Sequence, residues 1–117
     1  MCINRMKDDF AYLRHIRDAI AKIEEYVVDI RYEDFMTRSL VQDGVIRQIE
    51  IIGEATKMLS IDFKEKYSDI PWTDIAGMRD KLIQGYLNVD LNAVWDTVEK
   101  DIPPLKEFIK KVLDERS

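Results

Sequence analysis

The chain has 117 residues, 46% hydrophobic and 35% charged, with a formal net charge of −5. Those values fit a globular chain with a heavily charged surface; they exclude disorder, and they exclude binding to nucleic acid through overall charge. Four glycines and three prolines favour long helices over many-turned β structure, the single histidine (His15) excludes a multi-histidine metal site within one chain, and the single cysteine (Cys2) excludes an internal disulfide.

Phe10, Leu13, Ile16, Ile20, Ile23, Val27 and Ile30 recur at spacings of three and four and predict a first helix from Lys7 to Ile30. "YEDFMTR" breaks the pattern, and Tyr32, Phe35 and Met36 are expected to pack a short turn against the core. A second helix is predicted from Ser39 or Leu40 to Leu59, striped by Val41, Val45, Ile49, Ile52, Thr56 and Leu59. Ile46 and Ile51 lie off that stripe, which suggests burial on two faces, one of them against another chain. Gly53 inside the helix costs about 1 kcal/mol relative to alanine, a cost easier to accept where two helices approach closely.

Ser60 reads as an N-cap for a short helix through Tyr67, and Pro71 forces Ile70 into extended geometry. The next helix is predicted to start near Trp72 to Asp74 and to run to about Tyr86. Asp90 can cap a last helical segment from Leu91 to Leu113, broken or kinked at Pro103 and Pro104. No segment shows convincing period-two alternation. The expected fold is all-α, an up-and-down helical bundle of four to five helices, in one domain over residues 1–117. With no leader-like segment and no long apolar run, the chain is expected to be cytoplasmic and to have no membrane contact.

Phosphate loops, paired CxxC, HExxH and GxSxG are all absent. Adjacent carboxylates such as Asp8–Asp9 and Glu24–Glu25 read as solvated charge. His15 reads as an exposed surface residue, and Trp72 and Trp95 as packing anchors. What remains is "MRDKLIQGYLNVD". On a continuous helix Arg79 and Tyr86 share a face two turns apart, whereas Gln84 falls about 140° away from Arg79. Gln84 then joins the same site only through a distortion near Gly85 or through a partner chain.

The stretches "HIRDAIAKIEEYV", "QDGVIRQIEIIGEATKMLS" and "DIPWTDIAGMRDKLIQGYLNVDLNAVWDTVEKDIPPLK" follow one another in the order seen in HepT-like toxins of the HEPN superfamily, and the chain resembles that family from about Tyr12 to Leu113. The family signature is an arginine, four residues, a histidine, one residue and a tyrosine. Arg79 matches the arginine and Tyr86 the tyrosine, while Gln84 stands where the family has histidine. The resemblance implies a HEPN-like bundle acting as a metal-independent endoribonuclease toxin without a cofactor. Two copies of the motif would line an RNA groove in a homodimer, with Asp80 and Lys81 as groove neighbours. It also implies a partner, an MntA-type nucleotidyltransferase antitoxin, that adds AMP to Tyr86.

The chemistry suits those residue types. Arg79 is a permanent bidentate cation for phosphate oxygens, and a histidine at position 84 would move protons near neutral pH. Gln84 does not titrate there, and loss of a general acid–base group typically costs about 10²- to 10⁴-fold in rate. Asp80 adds a negative charge beside a phosphate site. Gln84 is compatible with a naturally weakened homologue and with an introduced substitution. Two functions follow: an impaired ribonuclease toxin, or a non-catalytic helical dimer that binds and is regulated by a nucleotidyltransferase.

Overall fold

A computed structural model of the chain describes residues 2–84 and 88–116, with side chains described for 8–83 and 88–115. The fold is an all-α bundle. Its helices are α1 (Cys2–Val27), α2 (Tyr32–Phe35), α3 (Ser39–Met58), α4 (Ile61–Lys66), α5 (Trp72–Ala76), α6 (Leu91–Asp96) and α7 (Ile102–Arg116). A π-helical turn, Thr97–Asp101, joins α6 to α7. Among the described residues there are therefore three long helical segments, α6 through α7 counted as one, and three short ones.

The two predicted stripes build the core. Leu13, Ile16, Ile20 and Ile23 of α1 face Val45, Ile49 and Ile52 of α3, all at most 2% exposed. Each fully buried side chain of this size contributes about 1.5–3 kcal/mol. Ile102, Leu105, Ile109 and Val112 of α7 join the same core. Thr56 completes the α3 stripe by donating its hydroxyl to the Ile52 carbonyl at 2.8 Å. α1 ends at Val27, before the expected Ile30, because Asp29 adopts a left-handed φ of 58° and the Ile30 N–H turns back to the Val27 carbonyl. Gly53 is buried where α3 meets α5: a Cβ there would sit 3.0 Å from the Ala76 carbonyl oxygen. The close approach anticipated for this glycine is present.

The short elements are fixed by aromatic contacts and caps. Phe35, fully buried, stacks at 5.1 Å on Trp95, and the Tyr32 hydroxyl donates to the Asn92 side chain. Trp72 packs against Phe63 and Phe108, and its indole N–H donates to the carbonyls of Lys64 and Tyr67. Both tryptophans are thus packing anchors. Ser60 caps α4 by accepting from the Phe63 N–H, and Asp90 caps α6 by accepting from the Ala93 N–H.

Asp9 corrects the reading of Asp8–Asp9 as plain solvated charge. It is only 4% exposed, and its carboxylate accepts from the Ser60 N–H at 2.7 Å and the Ser60 hydroxyl at 2.6 Å. The partner lies in the α3–α4 connection, far from α1 in sequence, so local charge pattern cannot reveal it. Glu24 of the second pair is exposed and accepts from Lys106 of α7 at 2.7 Å, which holds the ammonium pKa above its ordinary value.

Pro103 and Pro104 do not break the last segment. They fall in the first turn of α7, and the preceding π turn absorbs the lost donors: the Ile102 N–H bonds the Thr97 carbonyl, five residues back.

Candidate functional site

The segment from Trp72 to Asp90 departs from the single helix expected to reach Tyr86. α5 ends at Ala76 with Gly77 as its C-cap. Three tight turns follow, with Met78 N–H bonding the Ile75 carbonyl, Asp80 N–H the Gly77 carbonyl and Leu82 N–H the Arg79 carbonyl. The chain then forms β1 (Ile83–Gln84) and β2 (Asn88–Val89), which pair antiparallel with Ile83 opposite Val89 and Gln84 opposite Asn88. The Asp90 N–H closes the base of the hairpin on the Leu82 carbonyl at 2.7 Å. Ile75, Met78 and Leu82 are all buried and keep helix-like spacing, but successive three-residue turns satisfy that spacing as well.

Arg79 rises from the second of these turns, its side chain 48% exposed. Its Nε lies 3.4 Å from Glu50 Oε2 on α3, and its Nη1 lies 3.9 Å from Asp80 Oδ1. Glu50 comes from the part of α3 next to Gly53, where α5 packs closely. The Gly53–Ala76 contact therefore sets the height at which Arg79 leaves the bundle. Glu50 orients the guanidinium from one side and leaves about half of the side chain open to a ligand. Lys81 is exposed two residues on. Around the turn, two cations (Arg79, Lys81) are balanced by two carboxylates (Glu50, Asp80), so a phosphate would meet a directed donor rather than a basic patch.

Gln84 has its backbone in β1. Its side chain lies outside the described residues, and so does Tyr86. The shared helical face assigned to Arg79 and Tyr86 is void, because the chain leaves the helix at Ala76, before either residue. The 140° separation of Gln84 from Arg79 is void for the same reason. Arg79, Asp80 and Lys81 are brought together on one exposed turn that leads directly into the strand carrying Gln84.

Sequence reasoning missed Glu50. It sits on α3 off the apolar stripe, and no local signal links it to a residue in a different element. It also missed a cavity of about 240 Å³ between α5 and α7, lined by Ile75, Met78, Leu105 and Phe108 with Lys81 and Lys100 among its polar residues. Met78 and Lys81 contribute to this cavity from the turn that carries Arg79. His15 is exposed as expected, edge-on to Tyr12. Among the described residues, no group of three or more His, Cys, Asp or Glu side chains converges to hold a metal ion, and no helix is long and apolar enough to cross a membrane.

A family model described as Ribonuclease HepT-like matches residues 16–112. The chain is 53% identical over 109 residues to a Methanocaldococcus jannaschii protein whose name joins gamma-glutamylcyclotransferase to a candidate RNase; the match covers 93% of this chain and 49% of that one. The chain thus spans about half the length of that relative. It is 48% identical over 101 residues to the probable ribonuclease HepT of Thermococcus cleftensis, covering 86% of this chain and 92% of the relative. It is 43% identical over 108 residues to a candidate RNase of Caldanaerobacter subterraneus subsp. tengcongensis, covering 92% and 96%. No solved structure matches the chain significantly.

Proposed function

The chain belongs to the ribonuclease HepT-like family, and from that premise we propose that it is the toxin of a toxin–antitoxin pair, built to cleave RNA without a metal at a groove shared by two copies. Arg79 binds the non-bridging oxygens of the scissile phosphate, and Lys81 reaches a neighbouring phosphate. The RNA 2′-oxygen attacks the adjacent phosphorus as its proton leaves, and the 5′-oxygen departs with a proton, leaving a cyclic phosphate and a free hydroxyl. A histidine at position 84 would carry one of those protons; Gln84 cannot, so this chain is impaired in chemistry but retains the phosphate-binding arginine. Tyr86, two residues on, is the hydroxyl to which an MntA-type nucleotidyltransferase transfers AMP from ATP, the phenolic oxygen bonding the α-phosphorus as pyrophosphate leaves and the phenolic proton is lost, and bulk and charge at that point close the groove.

The observation that carries this reading is the half-exposed Arg79 guanidinium, oriented by Glu50, on the turn that runs into Gln84. The test is the Gln84→His variant, assayed on RNA and on the growth of expressing cells. Cleavage about 10²- to 10⁴-fold faster than by the native chain, together with slowed growth, is the expected result. A folded, dimeric variant that does neither would end the proposal.

A second reading is favoured by the two carboxylates beside Arg79. Glu50 and Asp80 offset the arginine and lysine, as would suit a module that docks a nucleotidyltransferase rather than RNA. Incubation with the nucleotidyltransferase and ATP, followed by mass spectrometry of the peptide containing Tyr86, separates the two. Modification of a chain that stays inert toward RNA even as Gln84→His supports the module; absence of any complex removes it.

A further inference from the structure

The wall of the cavity between α5 and α7, about 240 Å³ in volume, includes the turn that carries Arg79. Ile75, Met78 and Leu105, all buried, form an apolar floor. Phe108 forms a side wall. Its ring is held edge-on by Tyr67 at 5.4 Å and by Trp72 at 5.5 Å, so its orientation is set before any ligand arrives. Sites for drug-sized ligands occupy about 300–1,000 Å³, so this smaller space suits a single flat ring system.

The rim is charged and balanced. Asp74 and Asp101 supply two carboxylates, Lys81 and Lys100 supply two ammonium groups, and all four residues are exposed. A rim without net charge does not select an ion. It offers acceptors to N–H groups and donors to ring nitrogens and carbonyl oxygens, the two kinds of partner that a nucleobase edge requires. Lys100 holds Asp96 at 3.9 Å, but that pair is exposed and readily exchanged. Lys100 and Asp101 both belong to the π turn, and such turns inside helices occur frequently at functional sites.

We infer that this cavity receives one unpaired base of an RNA strand, beside the phosphate that Arg79 holds; the assignment rests on the ribonuclease reading. Met78 and Lys81 lie just before and just after Arg79 in the chain, and both line the cavity. Two residues span at most about 7 Å, so a strand on Arg79 reaches the rim within about two nucleotides. Lys81 then meets the phosphate of the docked nucleotide. The base turns inward, packs against Phe108 and covers the apolar floor, with its edge toward the rim. Bases splayed out of a single strand are recognised in this way, by contact with an aromatic ring and by hydrogen bonds along their edges. A base in a duplex has its pairing edge occupied and must first leave the stack.

Fluorescence anisotropy of the full chain with two labelled strands of equal length tests this: a 2′-O-methyl RNA and the same sugar–phosphate chain without bases. The base-bearing strand should bind about tenfold more tightly. Leu105→Trp, which fills the cavity, should bring it down to the affinity of the abasic strand. Lys100→Ala combined with Asp101→Ala, on the exposed rim, should remove part of the advantage and serves if circular dichroism shows Leu105→Trp unfolded. Arg79→Ala should weaken both strands alike. In the native chain the methyl NMR signals of Ile75, Met78 and Leu105 should shift with the base-bearing strand and stay in place with the abasic one. Equal affinity for the two strands, a base advantage that survives in every folded cavity variant, or unmoved methyl signals would each overturn the inference. Adenosine or guanosine monophosphate moving the same signals at a lower concentration than the strand would assign the cavity to a free nucleotide and overturn it as well. If the two strands bind alike and Arg79→Ala weakens both, the base site falls and the ribonuclease reading stands; if neither strand binds, both fall.

Discussion

The α1–α3 pair and the segment between Gly77 and Asp90 are built on opposite terms. Along the facing stripes of α1 and α3, Leu13, Ile16, Ile20, Ile23, Val45, Ile49 and Ile52 are all but removed from solvent, and buried polar groups such as Thr56 and Asp9 find partners. Between Gly77 and Asp90 the backbone is held by tight turns and a two-residue ladder. Met78 and Leu82 anchor it from beneath, while Arg79, Asp80 and Lys81 stay in contact with water. The difference teaches where stability and chemistry reside. The long helices set the height of the turn, and the turn offers charges that the core does not need.

Substitutions can break or sharpen that contrast. Phe35→Ala should cost the most stability, about 3–5 kcal/mol, because the ring is fully buried and stacks on Trp95; chemical denaturation measures it, and a cost under 1 kcal/mol would contradict the packing. Asp9→Ala should cost about 1–3 kcal/mol by removing the acceptor of two Ser60 donors, and Ser60→Ala should cost no more once Asp9 is already gone, apart from the lost cap. Gly53→Ala gains helix propensity yet places a Cβ 3.0 Å from a backbone oxygen. A net loss of about 1 kcal/mol is expected, accompanied by shifted NMR signals at Arg79 though not at Phe35. Arg79→Ala should leave stability within about 0.5 kcal/mol but weaken binding of a non-cleavable 2′-O-methyl RNA in a filter assay. Equal RNA binding by Arg79→Ala and the native chain would place the chemistry elsewhere.

Much of the bundle was legible because its determinants are local. The stripes of α1 and α3, the Ser60 and Asp90 caps and the glycine at a close crossing all follow from residues within a turn or two of one another. The hairpin was not, since strands of two residues are too short to show alternation and the anchors beneath them imitate a helix. Asp9 and Glu50 were misread or missed because their partners lie in other elements. At the candidate site, Arg79, Gln84 and Tyr86 were recognised through the spacing of a family signature, whereas the carboxylate that orients Arg79 became visible only in three dimensions.

The π turn at Thr97–Asp101 amounts to one surplus residue inside an otherwise continuous rod. Removing a residue there would rotate everything downstream by about 100°, swinging Leu105, Ile109 and Val112 off the interior and wet surface into it. The last helix thus carries its own phase correction: Thr97 and Ile102 are both buried although five residues of a regular helix would set them about 140° apart.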